Sequence, residues 1–283
     1  MGRGDDPTQS SALRHAAVPL HGASDAAPAA RYLAGAHSSR VIAWRGASSD
    51  RAASTHVRLT PRAPFLYGAL RRGCLALLER LFDWRIAGTE HLPTSGPFIL
   101  AANHHNYLDG VVLAAAVPRP IAFLVMPRVY HATPLHPAFH RWARSVPINL
   151  ERPDPGAIKR VLRSVDGGGI VGIFPEGPFS TEGRLGHGQP GVAMIALRSG
   201  VPVVPAAIHG TYQALLRRRF YLPRRWPISV RFGAPMQFVP PRHRRATRAD
   251  REDVTRGIMK EIAALLGSER ETHGPRCGRA DVS

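Results

Sequence analysis

The sequence predicts a single α/β domain in which a mostly parallel or mixed central sheet is flanked by helices. Two observations lead to this prediction. Short apolar runs of strand length alternate with longer segments of helical periodicity, and Gly, Pro or Asp residues stand where these segments begin or end. In addition, a chain of 283 residues with 44% apolar side chains can form one sizeable core.

Composition divides the chain into a central domain and two tails. Residues 1–58 are rich in Ala, Ser, Arg and His without a sustained period, which predicts a disordered N-terminal segment. An organellar transit peptide or an incorrectly assigned start codon would look the same, so both alternatives remain open. Residues 59–267 form the predicted domain, with its motif-bearing core at about 85–240, and residues 268–283 are predicted to be a disordered tail.

The first element of the domain is a predicted amphipathic helix within residues 64–84. Its leucines recur at helical spacing, whereas Arg71, Arg72 and Arg80 lie off that stripe. Packing of this helix on the core is the first interpretation. A basic helix lying on a membrane surface is the alternative.

Strands and helices then alternate. A strand at 98–102 runs into a polar turn and a helix. A helix begins after Asp154, because Asp is a preferred N-cap and Pro155 is tolerated at the first helical position. Gly200 ends a helix at 191–199. Further strands are predicted at 121–126, 146–151, 170–174, 201–208 and 228–233, and a last helix at 250–267.

The charge balance indicates an anionic partner. The chain has 38 basic and 20 acidic residues, and all of the basic residues except Lys159 and Lys260 are Arg. Nucleic acid, acidic lipid head groups and an acidic protein or cofactor are compatible with this charge. The codon bias of a GC-rich genome is an alternative cause of the arginine excess.

Cysteine usage and hydropathy exclude several classes of protein. Cys74 and Cys277 suit neither a disulfide framework nor a structural zinc site, which favours a reducing compartment. The sequence contains no apolar run long enough to span a membrane, and it begins without the apolar region of a secretory signal.

Three apparent motifs are interpreted as structural. The run GGGIVG at 167–172 matches a dinucleotide-binding pattern but follows a helix and precedes a strand, so it predicts a helix end and a turn. His131, His136 and His140 are interrupted by prolines and have no nearby carboxylate, so no metal site is expected. Arg and aromatic residues interleave at 215–226, but no nucleic-acid module accompanies them, and a solvated or membrane-facing loop is predicted.

The run ANHHNYLDG at 102–110 offers a histidine and an aspartate that could act together. His104 and Asp109 would point about 140° apart on one continuous helix. They meet only if His104 lies in a turn after the strand and Asp109 lies in the first turn of the next helix. His105 could pair with Asp109 only if the helix already began at residue 105. A structural His and an Asp placed favourably at a helix N-terminus are the alternative interpretation.

This N-H-x-x-x-x-D motif resembles that of the glycerolipid acyltransferase family, which includes the 1-acylglycerol-3-phosphate acyltransferases. The segment at 85–100 also resembles the family. Three further blocks follow in the family's order: VPINLER at 146–152, IFPEG at 173–177 and VPVVPAAI at 201–208. The resemblance covers about residues 64–240 and implies a glycerol-3-phosphate acyltransferase-like fold. Four ordered blocks are far more specific than H-x-x-x-x-D alone.

The resemblance also implies roles for individual residues. His104 is the general base that takes a proton from an acceptor hydroxyl, and Asp109 holds its other ring nitrogen. Arg152 would bind an anionic head group through its guanidinium, and Glu176 and Gly177 would line the acceptor pocket. Helix N-terminal amides could stabilise the oxyanion. No cofactor or metal is expected, because acyl-CoA or acyl carrier protein supplies the acyl group as co-substrate.

One block departs from the family pattern. The family commonly continues E-G-T-R-S, whereas this chain has Pro178 and Phe179 in place of Thr and Arg. A candidate phosphate contact is therefore missing, and Arg184, five residues further on, is a possible replacement.

The expected function is transfer of a fatty acyl group to a lipid hydroxyl, with 1-acylglycerol-3-phosphate as the first acceptor and phosphatidic acid as the product. A lyso-aminolipid or a specialised metabolite is the alternative acceptor. The expected partners are the acyl donor, a lysophospholipid and an anionic membrane surface, with peripheral attachment on the cytoplasmic side. A non-catalytic basic protein that binds membranes or nucleic acid is the rival class, although nucleic acid is not an expected partner.

Overall fold

The computed structural model describes residues 41–43, 64–131, 140, 145–149, 154–215, 224–241 and 243–272. The strands within these ranges are β1 (Val41–Ala43), β2 (Trp84–Ala87), β3 (Phe98–Ala102), β4 (Ile121–Val125), β5 (Val146–Pro147), β6 (Ile170–Ile173), β7 (Val203–His209), β8 (Ile228–Phe232) and β9 (Met236–Phe238). The helices are α1 (Pro64–Leu81), α2 (Leu108–Ala116), α3 (Pro127–Tyr130), α4 (Pro155–Asp166), α5 (Gly191–Ser199), α6 (Thr211–Ala214) and α7 (Arg248–Thr272).

The strands form one mixed sheet whose central strands are parallel. β3 pairs in parallel with β6 on one side and with β7 on the other, and β4 and β5 extend the parallel part beyond β6. β8 and β9 pair antiparallel with β7. β2 joins β8 in parallel, and β1 joins β9 antiparallel. The predicted α/β class with a mostly parallel or mixed sheet is confirmed.

Helices cover both faces of this sheet, and alternate residues of β3 show how. Ile99 and Ala101 pack into a core with α4, α5 and α7 on one face. Phe98, Leu100 and Ala102 pack with α1 and α2 on the other face. Every residue of β3 is therefore buried, which explains why this strand is a continuous apolar run instead of an alternating one.

The strand register brings three chain segments together at one edge. Ala101 lies opposite Ile173 in β6, and Ala102 lies opposite Ala206 in β7. The loops that follow β3 and β6 therefore leave the sheet side by side, near the end of β7. Ligands of open α/β sheets bind at this carboxyl edge.

Local signals correctly predicted several element ends. The Asp154 side chain accepts a hydrogen bond from the Ala157 amide at 2.8 Å and caps α4. Gly167 ends α4, Gly168 takes a left-handed φ of 78°, and β6 begins at Ile170. Residues 167–169 are thus a helix end and turn, as predicted, and residues 170–172 lie in β6.

Other element boundaries differ from the predictions. α7 continues to Thr272, so residues 268–272 of the predicted tail are helical. A glycine ends a helix where it adopts the left-handed conformation, and Gly267 does not adopt it. β1 lies within the 1–58 segment that was predicted to be disordered, and it is held by backbone pairing with β9. The strand expected at 146–151 is limited to Val146–Pro147 in the described residues, with 150–151 outside them.

Candidate active site

Asn103 fastens the end of β3 to β7 through its side chain. Its Nδ2 donates to the Ile208 carbonyl at 2.9 Å, and its Oδ1 accepts from the Ile208 amide at 2.8 Å. The side chain is fully buried, where an amide group needs such partners to offset its lost hydration. The chain therefore leaves the sheet at a fixed point, immediately before His104.

His104 and Asp109 meet in the way that their spacing predicts. His104 lies in the turn after β3, and Asp109 lies in the first turn of α2. The His104 Nδ1 atom is 2.9 Å from the Asp109 Oδ2 atom, and the two side chains are 12% and 0% exposed. A carboxylate at Nδ1 favours the tautomer that carries its proton there, which leaves Nε2 as the acceptor nitrogen of the neutral ring.

The same Asp109 oxygen also organises the turn. Oδ2 accepts from the backbone amides of His105 at 2.5 Å and Asn106 at 2.8 Å. Both amides belong to the buried turn that precedes α2, where an unpaired N–H group would be costly, so the carboxylate satisfies them. Its place in the first turn of α2 is also favoured by the helix dipole. Asp109 thereby couples the orientation of the imidazole to the backbone around it. Its Oδ1 atom is buried and has no hydrogen-bond partner among the described residues.

His105 contacts α6 and has a different environment from its neighbour. Its Nδ1 atom is 3.5 Å from the Thr211 hydroxyl, and its ring lies edge-on to Tyr212 with the ring centroids 5.9 Å apart. Burial lowers the pKa of His105, because a desolvated imidazolium is disfavoured, and the charge of Asp109 opposes this shift. The next residue, Asn106, donates from Nδ2 to the Thr211 carbonyl at 2.8 Å.

Glu176 joins two loops through its carboxylate. Oε1 accepts from the backbone amide of His104 at 2.8 Å, and Oε2 accepts from the backbone amide of Gly186 at 2.6 Å. The residue is 5% exposed. Burial raises the pKa of Glu176, and the two amide donors oppose the shift. Both oxygens are therefore engaged inside the protein.

Aromatic rings surround the imidazole of His104. The Phe174 ring is stacked on it with 3.7 Å between centroids and 5° between planes. The Phe179 ring approaches it edge-on at 4.4 Å, and Tyr107 approaches Phe179 at 4.7 Å. Phe123 is stacked behind Phe174 at 6.0 Å. These rings restrict the orientation of the histidine. Phe174 is not among the site residues predicted from the sequence, although its position immediately before Pro175 and Glu176 is a usable signal.

Gly177 and Arg184 lie in the same loop. Gly177 has a φ of 82°, and its amide donates to the Phe174 carbonyl at 3.0 Å, which closes a tight turn. The Ser180 hydroxyl donates to the Arg184 carbonyl at 2.7 Å. Because Ser180 follows Phe179 directly, Arg184 lies close to Phe179 in the loop, and it is exposed.

Two sequence-based expectations fall wholly or partly outside the described ranges. Arg152 lies outside them, so its predicted contact with an anionic head group stays a prediction. Most of the 215–226 segment also lies outside, as does His136. Within the described ranges, no group of three His, Cys, Asp or Glu residues could hold a metal ion.

Comparison with known proteins adds an independent finding. Residues 83–209 match the family model described as Acyltransferase. A chloroplastic protein of Brassica napus named 1-acyl-sn-glycerol-3-phosphate acyltransferase BAT2 is 33% identical over 133 residues, which are 44% of this chain and 37% of that protein. A Bacillus subtilis protein named 1-acyl-sn-glycerol-3-phosphate acyltransferase is 28% identical over 127 residues, or 44% of this chain and 62% of that protein.

The fold also matches a solved structure. The crystal structure of the 1-acyl-sn-glycerophosphate acyltransferase PlsC from Thermotoga maritima aligns with a TM-score of 0.60 at 21% identity, over 76% of this chain and 82% of that one. The chain thus has the same fold as that protein. The match to the Brassica protein spans little more than a third of its length.

Proposed function

We propose that this protein, whose residues 83–209 match the Acyltransferase family model, transfers a fatty acyl group from a thioester to the hydroxyl group of a lipid. The observation that carries the proposal is the pairing of His104 with a fully buried Asp109 at the carboxyl edge of the sheet. The acyl donor is acyl-CoA or acyl carrier protein. Neither a metal nor a cofactor enters the proposed reaction.

The reaction proceeds by general-base catalysis. A hydroxyl is a weak nucleophile at neutral pH, so Nε2 of His104 removes its proton as the oxygen attacks the thioester carbonyl. Asp109 keeps the proton on Nδ1 and stabilises the imidazolium that forms. The tetrahedral intermediate then expels the thiolate, which takes the proton from the imidazolium. The products are an ester and a free thiol.

The test of this proposal is product identification. Purified protein is incubated with labelled acyl-CoA and a panel of lysolipids, and the labelled lipid product and the free CoA are measured. Acyl transfer to at least one lysolipid supports the proposal. Membrane binding without any release of CoA in the presence of acceptors would instead support the non-catalytic alternative.

The relatives' names suggest 1-acylglycerol-3-phosphate as the acceptor and phosphatidic acid as the product, a step of phospholipid synthesis. We include this acceptor in the proposal as the first candidate. The expected phosphate ligand is Arg152, because a guanidinium can bind a phosphate through two parallel hydrogen bonds.

One observation favours a second acceptor class, a lipid hydroxyl without a neighbouring phosphate. The ring of Phe179 lies against both His104 and Tyr107, at the position where the family commonly has arginine. An apolar ring so close to the base offers no hydrogen bond to a phosphate. A neutral acceptor, such as a monoacylglycerol, would lose less hydration against this surface.

Phe179→Arg is expected to raise the preference for lysophosphatidate over a monoacylglycerol of the same chain length by about tenfold or more, the usual effect of a charged hydrogen bond. The measurement is the ratio of the two specificity constants in wild type and variant. Phe179→Leu removes the ring without adding charge and serves as the control. An unchanged ratio in Phe179→Arg would show that residue 179 does not contact the acceptor near its phosphate.

We also propose peripheral attachment to the cytoplasmic face of a membrane, where anionic lipids attract basic proteins. Exposed apolar side chains support this attachment: Leu70, Leu77 and Leu81 on α1, Val111 on α2, and Tyr107 immediately before α2. The three leucines lie within about 40° of one another around the helix axis. Arg71 donates from Nε to the Val117 carbonyl at 3.1 Å and holds the two helices together. Among the described residues, no helix is both long and apolar enough to cross a bilayer.

Binding to anionic vesicles is expected to weaken as ionic strength rises, because the net charge of +18 is screened by salt. Leu77→Glu should reduce binding at every salt concentration, since it places a charge in the apolar surface. Ala76→Glu is the matched control, because it adds the same negative charge at an exposed position of α1 that lies about 120° away from the three leucines. Co-sedimentation with phosphatidylglycerol and phosphatidylcholine vesicles measures both effects. Equal binding to the two vesicle types at all salt concentrations would reject the electrostatic part.

A further inference from the structure

We infer that Glu176 is a positioning residue: its carboxylate fixes the backbone of the proposed base His104, and it does not bind the acceptor. This inference rests on the proposed acyl transfer. It replaces the acceptor-pocket role that the family resemblance implies for Glu176.

Both carboxylate oxygens of Glu176 are hydrogen-bonded within the protein. Each carboxylate oxygen accepts from one backbone amide, that of His104 at 2.8 Å or that of Gly186 at 2.6 Å. The residue is 5% exposed, so a substrate has little access to it. A buried carboxylate would also repel the phosphate of an anionic acceptor.

The loop at residues 174–180 holds His104 by its backbone and by its ring. Its amide donates to Glu176, and its carbonyl accepts from the Ser180 amide at 2.9 Å. Its ring is stacked on Phe174. Residues 174–180 thus bind both backbone groups of His104 and its ring. The position of the base depends on this loop as well as on Asp109.

The loop that contains Glu176 is itself hydrogen-bonded to neighbouring segments. The Gln189 amide donates to the Pro175 carbonyl at 2.6 Å, and the Tyr212 hydroxyl donates to the Thr181 carbonyl at 3.1 Å. Gly183 lies directly on the Tyr212 ring, where an added Cβ would come within 2.6 Å of a ring carbon. Because this loop is tied down at several points, Glu176 can transmit a fixed position to His104.

Position 176 requires a side chain with two hydrogen-bond acceptors. Two N–H donors point at the side chain, so it must offer two acceptors at the end of an arm as long as that of glutamate. Glutamine has the same shape but offers one acceptor and one donor group. One of the two amides would then face a donor, and the loop or the turn would have to move. A shift of about 1 Å in a catalytic group can cost about a hundredfold in rate.

Glu176→Gln therefore tests the inference. We expect kcat for acyl transfer to fall at least about tenfold while the KM for the acceptor changes less than about threefold. Hydrolysis of acyl-CoA by water, measured without any acceptor, should fall by a similar factor, since it uses the same base. Glu182→Gln is the matched control: it makes the same change at an exposed position of the same loop and should leave all three quantities unchanged.

A second pair of variants covers the case in which Glu176→Gln does not fold. Gly186→Pro removes one of the two amide donors, whereas Gly186→Ala keeps that donor. Both variants add a Cβ 3.0 Å from the Glu176 Oε2 atom, so the two differ mainly in the amide. We expect the proline variant to have the lower kcat, with the thermal unfolding midpoint recorded for both. If Glu176→Gln instead raises the KM for the acceptor and leaves kcat and hydrolysis unchanged, Glu176 binds the acceptor and the inference is overturned. Absence of transfer by the wild type to any lysolipid would contradict the proposed function, and the hydrolysis comparison would still test the role of Glu176.

Discussion

Replacing His104 with alanine is expected to lower the rate of acyl transfer at least about a hundredfold, the usual contribution of a general base. The imidazole is held by Asp109 at Nδ1 and stacked on Phe174, so its other nitrogen is available for one proton transfer in a fixed direction. No other described side chain has this pair of contacts. The measurement is the initial rate of CoA release at saturating concentrations of acyl-CoA and acceptor.

His105→Ala is the matched control, because it makes the same substitution at the adjacent residue. His105 is buried against α6, where its ring contacts Thr211 and Tyr212. Its loss should lower the thermal unfolding midpoint and change the rate much less than His104→Ala does. If the two substitutions have the reverse effects on the rate, His104 is not the base.

Asp109→Asn is expected to lower the rate at least about a hundredfold; loss of the orienting carboxylate in a Ser-His-Asp triad costs about ten-thousandfold. An asparagine oxygen can replace Oδ2 as acceptor for the His105 and Asn106 amides, so the turn can survive. The negative charge that stabilises the imidazolium is lost. The amide nitrogen would then occupy the place of the buried Oδ1, for which no hydrogen-bond partner is described.

The informative quantities for Asp109→Asn are kcat, the KM for the acceptor and the unfolding midpoint. A loss confined to kcat supports a role in the proton transfer. A variant that keeps nearly full activity but unfolds at a lower temperature would show that Asp109 only stabilises the turn before α2. Asp154→Asn is a suitable control for the capping effect, since Asp154 caps α4.

Much of the sheet could be predicted because the signals are local. A strand buried on both faces reads as an unbroken apolar run, which is why β3, β6 and β7 were found. Short strands such as β2 and β9 carry no such run. Pairing with β8, β7 and β1 defines them, and these partners lie far away in the sequence. The end of α7 was predicted too early, at Gly267, because a glycine ends a helix only where its backbone leaves the helical conformation.

The sequence by itself predicted that His104 could pair with Asp109, and the family resemblance selected His104 over His105. The two residues are five positions apart, and only one local arrangement, a turn followed by a helix, lets their side chains meet. The positive φ of Gly177 and the capping of α4 by Asp154 also follow from local backbone geometry. The roles of Glu176 and Phe174 were decided only by the tertiary structure. Glu176 lies 72 residues from His104 along the chain, and its partner became visible only when β3 and β6 paired side by side and placed their loops in contact. Sequence spacing defines geometry within a turn or a helix, whereas contacts between loops depend on the strand order of the sheet.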